Sequence, residues 1–168
     1  MKNDPDISKE TEDRSTGPHR FEMEAWISRA PFERLLHMSI LEAADGHATL
    51  DMPFLIDLAQ GGGLMHGGAL VSLADTAVVM AIKSVIEPHT HFATVTCDVK
   101  YLAPVKKGVV TARAKVVERD GRILKGHAVV YDEEDRAVME FNSVFKIARD
   151  ARIRGIAFAD GNQSEAGR

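Results

Sequence analysis

The spacing of apolar residues changes character along the chain, and each change marks an element. Residues 1–20 are polar and charged, with few large apolar groups. They bury too little surface to offset their ordering entropy, so they are expected to form a disordered N-terminal tail. In 31–38, Phe32, Leu35 and Leu36 share one face at helical spacing, and Pro31 suits a first helical turn. Residues 39–52 read as two short strands around Asp45-Gly46, a hairpin turn signal.

A glycine-rich run, Gly61 to Gly68, leads into the longest apolar stretch, 68–86. This stretch is too long for one strand and ends before Pro88. Leu70, Leu73, Ala74, Ala77, Met80 and Ala81 make one helical stripe, and Val71, Val78, Val79, Ile82 and Val85 make most of the remainder apolar. A helix that is apolar nearly all round is a buried helix.

Beyond it the period falls to two. In 92–102, Ala93, Val95, Cys97, Val99 and Tyr101 alternate with Thr94, Thr96, Asp98 and Lys100, which places Thr94 on the polar face. Alternation continues through 109–119, 122–131 and 137–147, with Asp120-Gly121 as a hairpin turn. Period two with one apolar face predicts antiparallel strands covered on one side. The expected fold class is therefore α+β: an antiparallel sheet wrapped around a long buried helix, occupying residues 21–148. Residues 149–168 are expected to be largely flexible, with Ile153, Ile156 and Phe158 able to dock part of them.

Composition narrows the class. The 168 residues are 45% hydrophobic and 27% charged, the balance of an ordinary globular domain. A net charge of −4 gives no global basic field for nucleic acid or an anionic membrane. Neither a membrane-length apolar run nor a signal-type N-terminus is present, and one cysteine, Cys97, supports no intrachain disulfide framework. The expected location is the cytoplasm.

Candidate chemistry gathers around the long helix. His66-Gly67-Gly68 opens it, and a helix N-terminus with small residues can present backbone N–H groups to a developing oxyanion. The same glycines also read as a turn that lets the chain enter a crowded core. Asp75 stands mid-helix among Leu73, Ala74, Ala77, Val78 and Val79. A buried carboxylate is costly unless paired, and Lys83 is too far along for an i,i+4 pair. A catalytic carboxylate, as general base or nucleophile, is the favoured reading. Gly67 and Asp75 are eight residues apart, about 12 Å along a helix axis. They cannot meet at one carbonyl carbon within a single chain, so a shared site needs a second copy. His89 and His91 lack companion ligands, so no metal is expected. The glycine run lacks the Lys-Ser/Thr of a phosphate-binding loop, and Ser72 and Ser143 lack a nucleophile-elbow context. Lys100, Lys106 and Lys107 form a basic surface cluster that reads as a phosphate site or as a solvated edge.

The segment from Gly63 to Ala77, Gly-Leu-Met-His-Gly-Gly-Ala-Leu-Val-Ser-Leu-Ala-Asp-Thr-Ala, resembles the motif of hotdog-fold thioesterases of the phenylacetate-degradation (PaaI-like) type. Val99 to Pro104, followed by Gly108, is similar to that family's next strand and turn. The resemblance covers about residues 30–148. It implies a hotdog fold, hydrolysis of acyl-CoA thioesters, and no cofactor beyond the CoA of the substrate. It also implies roles: Asp75 as base or nucleophile, Gly67 as backbone donor to the thioester oxygen, His66 as shaper of the loop. Gln60, seven residues before Gly67, matches the family's Asn/Gln position, and Thr94 matches a hydroxyl that orients water. Gly68, Lys106 and Lys107 are expected to contact substrate. The resemblance implies a homodimer with shared active sites, which can pair into a tetramer. Hotdog dehydratases or hydratases and a non-catalytic acyl-thioester-binding dimer are the alternative readings.

Overall fold

The computed structural model describes residues 17, 19–153 and 155–159, with backbone alone at 150–152. Most of the expected N-terminal tail, residues 1–16 and 18, lies outside the described residues, as do 160–168. In chain order the elements are β1 (Phe21–Met23), α1 (Pro31–Leu35), β2 (Ser39–Ala44), β3 (His47–Pro53), α2 (Gly67–Lys83), β4 (Thr90–Tyr101), β5 (Val109–Asp120), β6 (Ile123–Tyr131), β7 (Ala137–Arg152) and β8 (Ile156–Phe158). Six strands form one antiparallel sheet in the order β2-β3-β5-β6-β7-β4. The sheet curves round α2, and this is the hotdog arrangement.

The expected stripe of α2 is its buried face: Leu70, Leu73, Ala74, Ala77, Met80 and Ala81 are all in the core, joined by Val78 and Ile82. They pack on the inward residues of the central strands, among them Leu50, Val110, Leu124, Ala128, Met139 and Phe141. The approach is close. A Cβ at Gly126 of β6 would lie 2.1 Å from Val78 Cγ1, so only glycine lets helix and strand meet there.

Boundaries shift where local backbone chemistry overrides pattern. α1 stops at Leu35 instead of 38 because His37 takes a left-handed conformation, φ 55°. α2 starts at Gly67, one residue earlier than expected, and ends at Lys83 rather than 86. There Ser84 Oγ donates to Ala81 O and accepts from Gly46 N–H, tying the helix end to the β2–β3 turn. β7 runs on to Arg152. β8 then pairs in parallel with β1, and Ile153 and Phe158 pack against the core. Trp26 fastens this small sheet to the helix: its Nε1–H donates to Lys83 O at 3.0 Å, and Lys83 Nζ donates back to Trp26 O at 2.9 Å.

β4 departs most from its expected form. A bulge between Thr94 and Thr96 breaks its register with β7. Before the bulge Thr94 pairs with Phe145, and after it Cys97 and Val99 pair with Ser143 and Phe141. All three of these β7 residues face inward, so Thr94 shares the helix-facing side with Cys97 and Val99. Strict alternation had put Thr94 on the other face; the extra residue flips it. β4 is also an edge strand, exposed along most of both faces. Among the described residues no helix is long and apolar enough to cross a membrane.

Candidate active site

The two ends of the chemistry-bearing segment lie in separate cavities. The first, about 470 Å³, is lined by Gln60, Gly67, Leu70 and Tyr101 among others. The second, about 370 Å³, is lined by Asp75, Thr94, Val79, Phe32, Glu33 and neighbours. The structure thus brings Gln60 to Gly67 and Thr94 to Asp75, and keeps the pairs apart within one chain.

At the first cavity the loop fixes which backbone group is free. His66 is the N-cap of α2, and its Nδ1 accepts from Gly68 N–H at 2.8 Å. That bond occupies the Gly68 donor, so Gly68 offers no backbone proton to a ligand. The Gly67 N–H donates to no protein acceptor among the described residues. It is one of the unpaired donors at the positive end of the helix dipole. Gly67 also gives Tyr101 its room: a Cβ there would lie 2.9 Å from Tyr101 Oη and 3.0 Å from its ring, so the half-exposed tyrosine would have to shift. Gln60 follows a short 3₁₀ turn, Ile56–Leu58. Its backbone N–H donates to Leu64 O, and its Oε1 accepts from Gly62 N–H. With Oε1 engaged, the side-chain NH₂ keeps both protons for an outside acceptor.

At the second cavity Thr94 Oγ1 donates to Asp75, 3.2 Å from Oδ1 and 3.5 Å from Oδ2. No cation among the described residues pairs with Asp75. Lys83, the conceivable partner, is bound to the Trp26 carbonyl and sits 4.7 Å over its indole. Burial pushes the Asp75 carboxyl above its ordinary pKa, and the Thr94 hydrogen bond pulls it partly back. A carboxylate held in this way is a competent proton acceptor near neutral pH.

The remaining expected residues lie nearby but apart. Lys106 and Lys107 line a third hollow with Asp132, Glu133, Glu134 and Arg136, and Pro104 borders both this hollow and the Gly67 cavity. Lys107 pairs with Glu133 at 2.9 Å, both exposed. The His89 ring packs edge-on to Phe158 at 4.2 Å, in the aromatic cluster around Trp26. Two site neighbours escaped the sequence reading. Tyr101 lies on Gly67 only because β4 ends beside the start of α2, a register that no periodicity reveals. Glu33 stands in the first turn of a short helix, and nothing in its spacing signals that it lines the Asp75 cavity.

Comparison with known proteins adds an independent line. The family model described as the thioesterase superfamily matches residues 62–139, which include Gly67, Asp75 and Thr94 but not Gln60. A Bacillus subtilis protein named "Putative esterase ComA2" is 32% identical over 105 residues, 61% of this chain and 82% of that protein. Among solved structures, conserved protein PA5202 from Pseudomonas aeruginosa superposes with a TM-score of 0.69 at 28% identity, covering 71% of this chain and 95% of that one. A single-residue variant of the phenylacetic acid degradation protein PaaI from Thermus thermophilus gives a TM-score of 0.64 at 26% identity, covering 74% of this chain and all (100%) of that one.

Proposed function

This chain belongs to the thioesterase superfamily, as a PaaI-like hotdog protein, and from that premise we propose that it hydrolyses acyl-CoA thioesters in sites shared between two chains. Hydrolysis of a thioester is the reaction class of the family. The observation that carries the finer reading is Asp75: a half-buried carboxylate held by one hydroxyl, with no cation in the lining of its cavity.

The chemistry follows from the two half-sites. The Gly67 N–H, assisted by the Gln60 NH₂, donates to the thioester carbonyl oxygen and stabilises the negative charge that develops on it. Asp75 of the other chain acts on the carbonyl carbon as general base to a water. Thr94 favours that route over direct attack. Its hydroxyl donates to Asp75, so its oxygen lone pairs remain to accept from a water. The water adds to the carbonyl carbon, its proton passes to Asp75, and the carbon–sulfur bond breaks. CoA leaves as the thiolate and takes up the proton, and the acyl group leaves as the free acid.

Two features support a dimer. Gly67 and Asp75 lie at different turns of α2 and in different cavities. The twelve-residue strand β4 is an open edge beside Asp75, with Val95 58% exposed. A long unpaired edge with apolar side chains calls for a partner strand. A second copy seated there would bring its own Gly67 loop toward Asp75. The CoA phosphates are assigned to Lys106 and Lys107, whose hollow shares Pro104 with the Gly67 cavity.

Release of free thiol from a panel of aryl and aliphatic acyl-CoAs tests this reading. Turnover on at least one class, abolished by Asp75→Asn, is the expected result. A folded protein inert toward every acyl-CoA would overturn it.

A further inference from the structure

The Asp75 cavity contains a second carboxylate that the proposed hydrolysis does not use. Glu33, in the first turn of α1, lines it together with Asp75. Glu33 Oε2 is buried and has no hydrogen-bond partner, so the protein supplies that oxygen with no donor. The other lining residues are neutral, with Phe32, Val71, Val79 and Phe141 forming the apolar wall. Lys83 lies within electrostatic reach of Glu33 and offsets part of its charge, but its ammonium donates to the Trp26 carbonyl, forms no ion-pair contact with the carboxylate and does not line the cavity. The cavity is thus a two-carboxylate environment whose lining contains no cation.

We infer that Glu33 is a specificity-determining residue of this site: it turns away acyl groups that end in a carboxylate and admits neutral or ammonium-bearing ones of similar length. The inference rests on the acyl-thioesterase reading above. Its physical basis is like-charge repulsion. A second anion brought to within about 6 Å of a carboxylate, at an effective dielectric near 20, is disfavoured on the order of 100-fold. Rejection of wrong substrates by an unpaired charge is a common source of selectivity.

Three CoA thioesters of matched chain provide the test: hexanoyl, adipoyl and 6-aminohexanoyl, which differ only at the far end. We expect the wild-type kcat/KM for adipoyl-CoA to fall on the order of 100-fold below that for hexanoyl-CoA, with 6-aminohexanoyl-CoA well above adipoyl-CoA. Glu33→Gln should raise the adipoyl-to-hexanoyl ratio about tenfold, since Asp75 still repels, and Glu33→Lys should raise it further. A merely structural role for Glu33 would change all three rates together and leave the ratios alone. A wild-type ratio near one overturns the inference without needing any variant, as does a ratio that neither substitution moves. Both results leave the thioesterase reading standing. Failure of the wild type to hydrolyse any of the three overturns the inference, and inertness toward the whole acyl-CoA panel overturns the thioesterase reading with it.

Discussion

The cavity at the start of α2 and the cavity at its middle are made from different materials. The first relies on backbone: the Gly67 N–H, left free because His66 takes the neighbouring Gly68 donor. The second relies on one ionisable side chain, Asp75, trimmed by one hydroxyl. A backbone donor does not titrate, and any substitution short of proline, which lacks the N–H, can only block or crowd it. A half-buried carboxylate titrates, costs folding free energy and disappears with one atom's change. The two halves should therefore fail in different ways, and experiments can be ordered by how sharply they expose that difference.

The largest effect belongs to Asp75→Asn. It keeps the shape of the side chain and its acceptor for Thr94 while removing the base. We expect kcat on the best acyl-CoA to drop about 10³-fold, the middle of the range for loss of a general base. Circular dichroism and elution volume should match the wild type. Near-normal turnover would remove Asp75 from the mechanism.

The separation of the halves gives the next test. Gly67→Val drives a side chain into Tyr101 and should inactivate the first half-site. Mixed with Asp75→Asn and allowed to exchange subunits, it should restore roughly a quarter of wild-type activity, because half the dimers are mixed and each carries one intact site. No recovery after proven exchange of folded chains would place both halves in one subunit. Gln60→Ala should cost less, about 10²-fold in kcat, the usual effect of losing one oxyanion donor while another remains. An unchanged rate would leave Gln60 only its bond to the Gly62 N–H, a loop role.

The same contrast explains what the sequence made legible. The buried stripe of α2 and the inward residues of β5, β6 and β7 followed from periodicity because helix and sheet bury each other there, so every position is constrained. The separation of Gly67 from Asp75 was legible too, from helical rise alone. Thr94 was misplaced because β4 is an open edge: little is buried against it, and a single bulge changes which face a residue occupies without leaving a pattern. Glu33 and Tyr101 were missed for a related reason. Their importance depends on which elements end beside which, and local spacing carries none of that.

Thr94 itself tests how the carboxylate is tuned. Its hydrogen bond favours the ionised form of Asp75 against the burial that raises the pKa. Activity requires the ionised form, so the rate should fall as pH drops through that raised value. Thr94→Val removes the opposing hydrogen bond, and the acid limb of the kcat/KM profile should move to higher pH. A limb that stays in place, or moves down, would show that Thr94 does not stabilise the carboxylate. The Gln60→Ala profile should keep its limb where the wild type has it, since no ionisable group is touched.

The smallest effect is on stability, and its sign is informative. Burial raises the Asp75 pKa in the folded chain above its value in the unfolded one. The folded state therefore gains relative to the unfolded state below the unfolded pKa, and this gain is lost as pH rises through the folded pKa. At neutral pH the wild type carries the cost of keeping a partly buried charge ionised, and Asp75→Asn does not. The inactive variant should melt slightly higher than the wild type at pH 7, and the gap should close as pH falls below the ordinary carboxylate range. Thermal melts across that pH range measure it directly. Because Thr94 supports the charge and part of the carboxylate is solvated, the gap should be modest. A lower melting temperature for Asp75→Asn at pH 7 would mean that the charge stabilises the fold, through a favourable partner across the dimer or elsewhere. The carboxylate would then be a structural anchor, and its loss of activity on substitution would no longer identify a base.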